Sequence, residues 1–351
     1  MDPNGIDALR SAEWDGSQDE RSWNGRVPHG GAGDPFVLDF SANTNPESPE
    51  GVAGVYEGAL SAARSYPSDD YCEFRGAAAE YVGCEGPQVI PTAGGLAAIR
   101  LTVATTVDPD DTVLVPYPSF GEYAREVGLQ GGTPEFVPHD DLLSSDPGEY
   151  ALVVCCTPNN PTGEAYDPAA LRAYAGLCRD ADTPFLVDEA FVGFTDEPTL
   201  AGHEGVVVAR SLTKLFGLPG LRAGFAVATG DLRDRLEVAR PAWGLGTPAA
   251  AVGVHCMRAE GFVAATRERV ASERARMEAR LSARFEVSPS DGPFLLLDVG
   301  DSAAVDDLLS TVKQHDITVR DARTFRGLDS HVRVAVRLPE ENDRLLDALD
   351  V

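Results

Sequence analysis

One amine stands out in this sequence. Lys214 is one of only two lysines, the other being Lys313, while arginine supplies nearly all the positive charge. A guanidinium is too weakly nucleophilic to condense with an aldehyde, so a lysine retained among apolar and small residues keeps a chemistry that arginine cannot replace. Lys214 follows the strand-like run Val206-Val207-Val208-Ala209-Arg210. It lies within Ser211-Leu212-Thr213-Lys214-Leu215-Phe216-Gly217-Leu218-Pro219-Gly220-Leu221-Arg222 rather than on a charged helix face. Burial there disfavours the ammonium form and supplies a neutral amine. Other reactive types also close short apolar runs. Phe185-Leu186-Val187 ends in Asp188, a carboxylate that could cap a turn or face a ligand. Thr92-Ala93-Gly94-Gly95-Leu96 follows an apolar stretch and opens a helical segment, where Gly94 and Gly95 let backbone N–H groups approach a phosphate. A Gly-Gly pair equally makes an ordinary turn.

The elements that must position these groups alternate along the chain. Strand candidates are Thr112–Val115, Ala151–Cys156, Phe185–Val187, Val206–Ala209 and Ala223–Ala228, with helices between them such as Pro168–Arg179, where proline suits the first turn. The pattern predicts an α/β fold with a mainly parallel sheet flanked by helices, whose ligands collect beyond the carboxyl ends of the strands. A charged helix over about Phe262–Phe285 separates a second pattern. There Phe294–Val299, Ile317–Arg320 and Val332–Val336 read as strands, with helices near Ala303–Gln314 and Glu340–Leu349. This predicts a small α+β domain. The expected division is 1–50 as an N-terminal arm and segment packing with the small domain, 51–245 as the large domain, and 246–351 as interdomain helix and small domain. Within the first, 1–26 reads as a mobile or loosely docked arm, and Phe36–Phe40 as a first strand.

With 351 residues the chain can bury a full core. Its formal charge of -27 and pI near 4.5 exclude nucleic acid as a natural partner, since phosphates would be repelled. Such acidity with so little lysine resembles adaptation to high intracellular salt. The six cysteines contain no C-x-x-C pair and read as reduced, mostly buried residues of a cytoplasmic protein. No apolar run approaches the roughly 20 residues of a membrane span.

Taken together, Ser211, Lys214, Gly220, Leu221, Arg222 and Gly224 form Ser-x-x-Lys followed by Gly-Leu-Arg-x-Gly. This resembles the lysine motif of fold-type I pyridoxal 5'-phosphate enzymes. It is most similar to the histidinol-phosphate aminotransferase and threonine-phosphate decarboxylase branch of the class I/II aminotransferases. The resemblance covers roughly residues 29–350 and implies a large domain with a seven-stranded-type sheet. It further implies that Lys214 binds the cofactor covalently, Ser211 and Arg222 hold its phosphate, and Phe120 of Pro118-Ser119-Phe120 stacks on its ring. Asn160, in Asn159-Asn160-Pro161-Thr162-Gly163, would donate to the phenolate oxygen, and Asp188 would pair with the ring nitrogen. Thr92-Ala93-Gly94 departs from the family's usual Gly-Asn-Gly. Tyr66-Pro67 resembles a motif whose tyrosine reaches the cofactor phosphate of the other subunit, which implies a homodimer with shared sites.

His29-Gly30-Gly31 and Asp39-Phe40-Ser41-Ala42-Asn43 look like the opening of threonine-phosphate decarboxylases. So do Ile317-Thr318-Val319-Arg320, Phe325-Arg326-Gly327-Leu328 and Arg333-Val334-Ala335-Val336-Arg337. By that resemblance His29, Gly30, Asn43, Asn160, Arg320, Arg333 and Arg337 would contact a small phosphorylated amino acid. Arginines alternating on a strand could equally face solvent. Phe191 stands where aminotransferases of the family usually carry a tyrosine, which favours decarboxylation of L-threonine O-3-phosphate, a step of cobalamin biosynthesis, over histidinol-phosphate transamination. A non-catalytic, ligand-sensing use of the fold is disfavoured by Lys214 and by the charge.

Overall fold

The computed structural model describes residues 1–11, 29–31, 33–34 and 36–351. The strands in chain order are β1 (Leu38–Asp39), β2 (Val89–Thr92), β3 (Thr112–Tyr117), β4 (Thr133–Pro138), β5 (Leu152–Cys156), β6 (Phe185–Asp188), β7 (Val206–Ser211) and β8 (Gly224–Val227). They continue with β9 (Glu286–Val287), β10 (Phe294–Asp298), β11 (Ile317–Thr318), β12 (Arg320–Asp321) and β13 (His331–Ala335).

β2 to β8 form a seven-stranded sheet in the order β2-β8-β7-β6-β5-β3-β4. Its neighbours are parallel except β8, which runs antiparallel to both β7 and β2. The predicted helix-flanked, mainly parallel sheet is therefore the one the chain forms. Every residue of β5 and β6 is buried, which explains why both read as unbroken apolar runs. Alternate side chains feed two cores. Val153, Val187 and Val208 pack on one face with Leu171 and Tyr174 of the helix Pro168–Asp180. Val154, Leu186 and Val207 pack on the other with Ala98 and Ile99 of the helix Gly95–Thr106. Asp167 caps the first of these helices by accepting from the N–H groups of Ala169 and Ala170, with proline at its first turn.

The helix Glu260–Leu281 leads to a four-stranded antiparallel sheet, β12-β13-β10-β9. β1 lies parallel to β11, with Leu38 opposite Ile317. Among the described residues no helix is long and apolar enough to cross a membrane.

Three sequence expectations change. The single strand expected over Ile317–Arg320 is two short ones, because the chain changes partner at Val319: β11 pairs with β1, and β12 with β13. β4 was not foreseen. It carries two prolines, Pro134 and Pro138, which a sheet edge tolerates because one side needs no ladder partner. The N-terminal arm begins as a helix, Pro3–Ser11, seated on the helix Glu122–Leu129. The Asp2 N–H donates to the Leu129 carbonyl at 2.9 Å, and the Asp2 carboxylate accepts from Gly5 N at 2.7 Å. Residues 12–28 of the expected arm lie outside the described residues.

Strand β8 meets the turn after β2 at Gly224. A Cβ there would stand 2.5 Å from the Arg210 carbonyl oxygen and 2.7 Å from the Gly94 carbonyl carbon. Gly224→Ala is expected to destabilise the fold by about 1–3 kcal/mol, as overpacking does. A thermal melt matching wild type would show that the backbone yields without cost.

Candidate active site

The carboxyl ends of β3, β5, β6 and β7 open into a cavity of about 280 Å³. Asp188 closes β6, Ser211 closes β7, and Asn160 and Phe120 follow β5 and β3. All four line the cavity with Lys214, Arg222 and Gly95, as do His29, Gly30, Asn43, Arg320 and Arg333 from the smaller sheet's side and the N-terminal segment.

Lys214 sits on the one-turn helix Leu212–Leu215, which Ser211 caps. Its amine is buried although the residue keeps partial exposure. Burial lowers its pKa to about 8, helped by the charges of Arg333 and Arg222 and opposed by Asp188 and Asp39. Asp188 is also buried, which raises its carboxyl above the usual range. Hydrogen bonds from Tyr123 Oη at 2.7 Å and Ala190 N at 3.0 Å counter that rise. Nothing in the sequence pointed to Tyr123, because its partner lies across the sheet.

Beside the amine is an anion cradle. The helix Gly95–Thr106 has no side-chain cap on its first N–H groups, so its positive end faces the cavity. A Cβ on Gly94 would fall 2.7 Å from Arg222 Nη2, so only glycine lets that guanidinium lie over the turn. Arg222 itself holds φ 53°, an uncommon conformation for a residue with a side chain. Ser211 Oγ lies 2.7 Å from Thr213 Oγ1, adding a second hydroxyl at the same spot.

Two more cations form the opposite wall. Arg320 and Arg333 stand directly across from each other on β12 and β13. Both are buried, and Phe325 lies between them with its centroid 5.4 Å and 5.6 Å from their guanidinium carbons. Arg333 donates to Asn160 Oδ1 and, at 2.9 Å, to the Ser41 carbonyl, while its Nε has no partner among the described residues. Burial and the neighbouring Arg320 push its pKa down to about 9, against Asp39. Asn43 Oδ1 is likewise buried without a partner among the described residues. Like charges opposite each other destabilise an antiparallel pair, and an anion bound by both would relieve that repulsion. At the mouth, His29 Nε2 lies 3.1 Å from Glu122 Oε1. Burial raises Glu122, but His29 and Arg125 outweigh it and its carboxyl titrates low.

Three predicted residues are not on the cavity wall. Gly94 stands behind Arg222. Arg337, expected to touch substrate, instead bonds Glu341 through two nitrogens at 3.1 Å and the Asp39 carbonyl at 3.0 Å. It lies two residues past the end of β13, and its pairing with Glu341 draws it to the helix Pro339–Ala348, away from the cavity wall where it was expected. Tyr66 is 80% exposed and packs on Trp243 at 4.6 Å between ring centroids, away from the cavity.

The residues present fit pyridoxal 5'-phosphate: an uncapped helix end with Arg222 and Ser211 for the phosphate, a depressed amine for the aldehyde, and a buried carboxylate for the ring nitrogen. Residues 36–349 match the family model for aminotransferase class I and II. The chain is 30% identical over 328 residues to histidinol-phosphate aminotransferase 2 of Archaeoglobus fulgidus, covering 90% of this chain and 93% of that protein. It is also 30% identical over 303 residues to a protein of Caldanaerobacter subterraneus subsp. tengcongensis provisionally named a threonine-phosphate decarboxylase, covering 81% and 82%. Its fold matches histidinol-phosphate aminotransferase from Sinorhizobium meliloti, solved with pyridoxal 5'-phosphate, at a TM-score of 0.80 and 18% identity over 97% of this chain and 95% of that one. Pyridoxal 5'-phosphate is thus the expected cofactor.

An amine with pKa about 8 reacts only when neutral. The rate at which cofactor-free protein captures pyridoxal 5'-phosphate is expected to rise with pH and level off above about 8, followed by visible absorbance. Lys214→Ala should lose the band altogether. A capture rate still climbing at pH 10 would mean that burial does not depress this amine.

Proposed function

We propose, from the premise that this chain belongs to the aminotransferase class I and II family and uses pyridoxal 5'-phosphate, that it decarboxylates L-threonine O-3-phosphate. The products would be (R)-1-aminopropan-2-yl phosphate and CO2, a step of cobalamin formation. The observation that carries the reading is the pair Arg320 and Arg333, facing each other on the cavity wall with His29 nearby. A substrate bearing both a phosphate and a carboxylate supplies two anions to that wall. Histidinol phosphate supplies one. Phe191 adds support: it lies edge-on to Phe294 at 5.0 Å and carries no hydroxyl to offer the cofactor.

Bound pyridoxal 5'-phosphate supplies an electron sink for the pair left on the substrate's Cα when one of its bonds breaks. The protein's share is orientation and proton handling. Asp188, held by Tyr123 and Ala190, would offer negative charge to the bound cofactor's ring nitrogen. Arg320 and Arg333 would clamp the substrate's anionic groups and so decide which of its Cα bonds is presented for cleavage. Presenting the carboxylate would give CO2 release; presenting the hydrogen would give transamination. Lys214, poised near neutrality, returns a proton to Cα, or moves one from Cα in the second case. Tyr66 would serve a second copy of the chain in a homodimer with shared sites.

Histidinol-phosphate transamination is the second reading, favoured by the Archaeoglobus fulgidus relative's coverage and identity. The two separate cleanly. Holoenzyme given L-threonine O-3-phosphate is expected to release CO2. Glutamate formed from histidinol phosphate and 2-oxoglutarate, with no CO2 from threonine phosphate, would install the second reading instead. Under the first, Arg333→Met should raise KM for threonine phosphate roughly 10- to 100-fold, the worth of hydrogen bonds to a charged group.

A further inference from the structure

The motif Phe325-Arg326-Gly327-Leu328 is only partly used by the reaction above. Phe325 is buried on the cavity wall between the guanidiniums of Arg320 and Arg333, so its position sets where both of them stand. On its own side the loop is secured by a small cluster of Phe325 and Leu328 with Leu296 and Ala322. Its next two residues reach the other sheet. Arg326 lays its guanidinium carbon 3.9 Å from the ring centroid of Phe136, in the edge strand β4. Gly327, at φ +81°, packs so closely on Tyr117 at the end of β3 that a Cβ would lie 3.2 Å from that ring. Among the described residues Arg326 is within ion-pair distance of no carboxylate, although the chain carries 56 acidic residues. An exposed arginine in so acidic a protein has therefore settled on an aromatic face.

We propose that Arg326 is a positioning residue: its stack on Phe136 ties the loop across the seam between the two sheets, so that Phe325 holds Arg320 and Arg333 ready for an anionic group of the substrate. This rests on reading those two arginines as the substrate's anion site. It does not depend on which bond at Cα breaks. The edge strand β4 gains a function by it, since its Phe136 ring meets a loop of the other sheet.

Inorganic phosphate, titrated calorimetrically into holoenzyme, probes the site without turnover. Arg326→Ala and Phe136→Leu are each expected to weaken phosphate binding about 3- to 10-fold, the range a cation over an aromatic face supplies. KM for whichever phosphorylated substrate the wild type consumes should rise alike, with kcat, cofactor absorbance and Tm unchanged. Phe136→Tyr, which keeps the aromatic face, should behave as wild type, and the double variant should be no worse than either single one. Phosphate affinity equal to wild type in Arg326→Ala, additive losses in the double variant, or an equal fall in Tm and cofactor retention would each overturn the proposal. Wild type that binds phosphate but releases no CO2 would remove only the decarboxylase reading. Wild type that binds no phosphate would remove both.

Discussion

Lys214, Asp188, Arg320 and Arg333 are held together largely out of water, and offsetting their desolvation is the constraint to which the surrounding structure answers. Removing a charge from water costs several kcal/mol unless partners replace the lost hydration. The partners here are unevenly distributed. Asp188 receives a phenol hydroxyl and a backbone N–H. Arg333 receives two oxygens and two aromatic faces, Phe294 and Phe325. Lys214 is placed between guanidiniums that repel its charged form more than Asp188 and Asp39 favour it. The imbalance yields a carboxylate kept in place, two neighbouring cations on one wall, and an amine near neutrality.

The two sheets divide the work of building this arrangement. The parallel strands place Asp188 and Ser211 at neighbouring carboxyl ends, with Cys156 in register with Asp188 and Ser211 with Gly224. The antiparallel sheet contributes arginines through strand pairing, so their spacing is as fixed as a ladder can make it. Asn160 touches both systems, since its loop follows β5 and its amide oxygen accepts from Arg333. The two sides of the cavity are thereby mechanically joined.

Elsewhere arginine takes over tasks often shared with lysine. Arg240 pairs with Asp69 and Glu237, and Arg75 with Glu237, each guanidinium bonding more than one oxygen. A planar fork suits such multiple contacts in a chain with a large acidic excess. It also leaves Lys214 without a chemical rival in the cavity.

Much of the site was legible in the sequence because strand ends and turns are local events. Apolar runs closing in Asp188 and Ser211, the Gly-Gly turn and the Asn-Pro-Thr-Gly loop identify themselves within a few residues. The same locality explains the misses. Arg333 and Arg337 are four apart on similar stretches, and sequence could not say that one faces Arg320 across a ladder while the other bends to Glu341. Tyr123 and Asp188 are 65 positions apart, and only the strand order that sets β3 beside β5 and β5 beside β6 brings them together. The split of Ile317–Arg320 between two sheets had the same origin, a change of partner invisible to periodicity. Residue chemistry and strand-end placement were thus determined by the sequence itself. Which distant side chains meet was decided by tertiary packing, because sheet order and register obey the burial of the whole chain rather than any one segment.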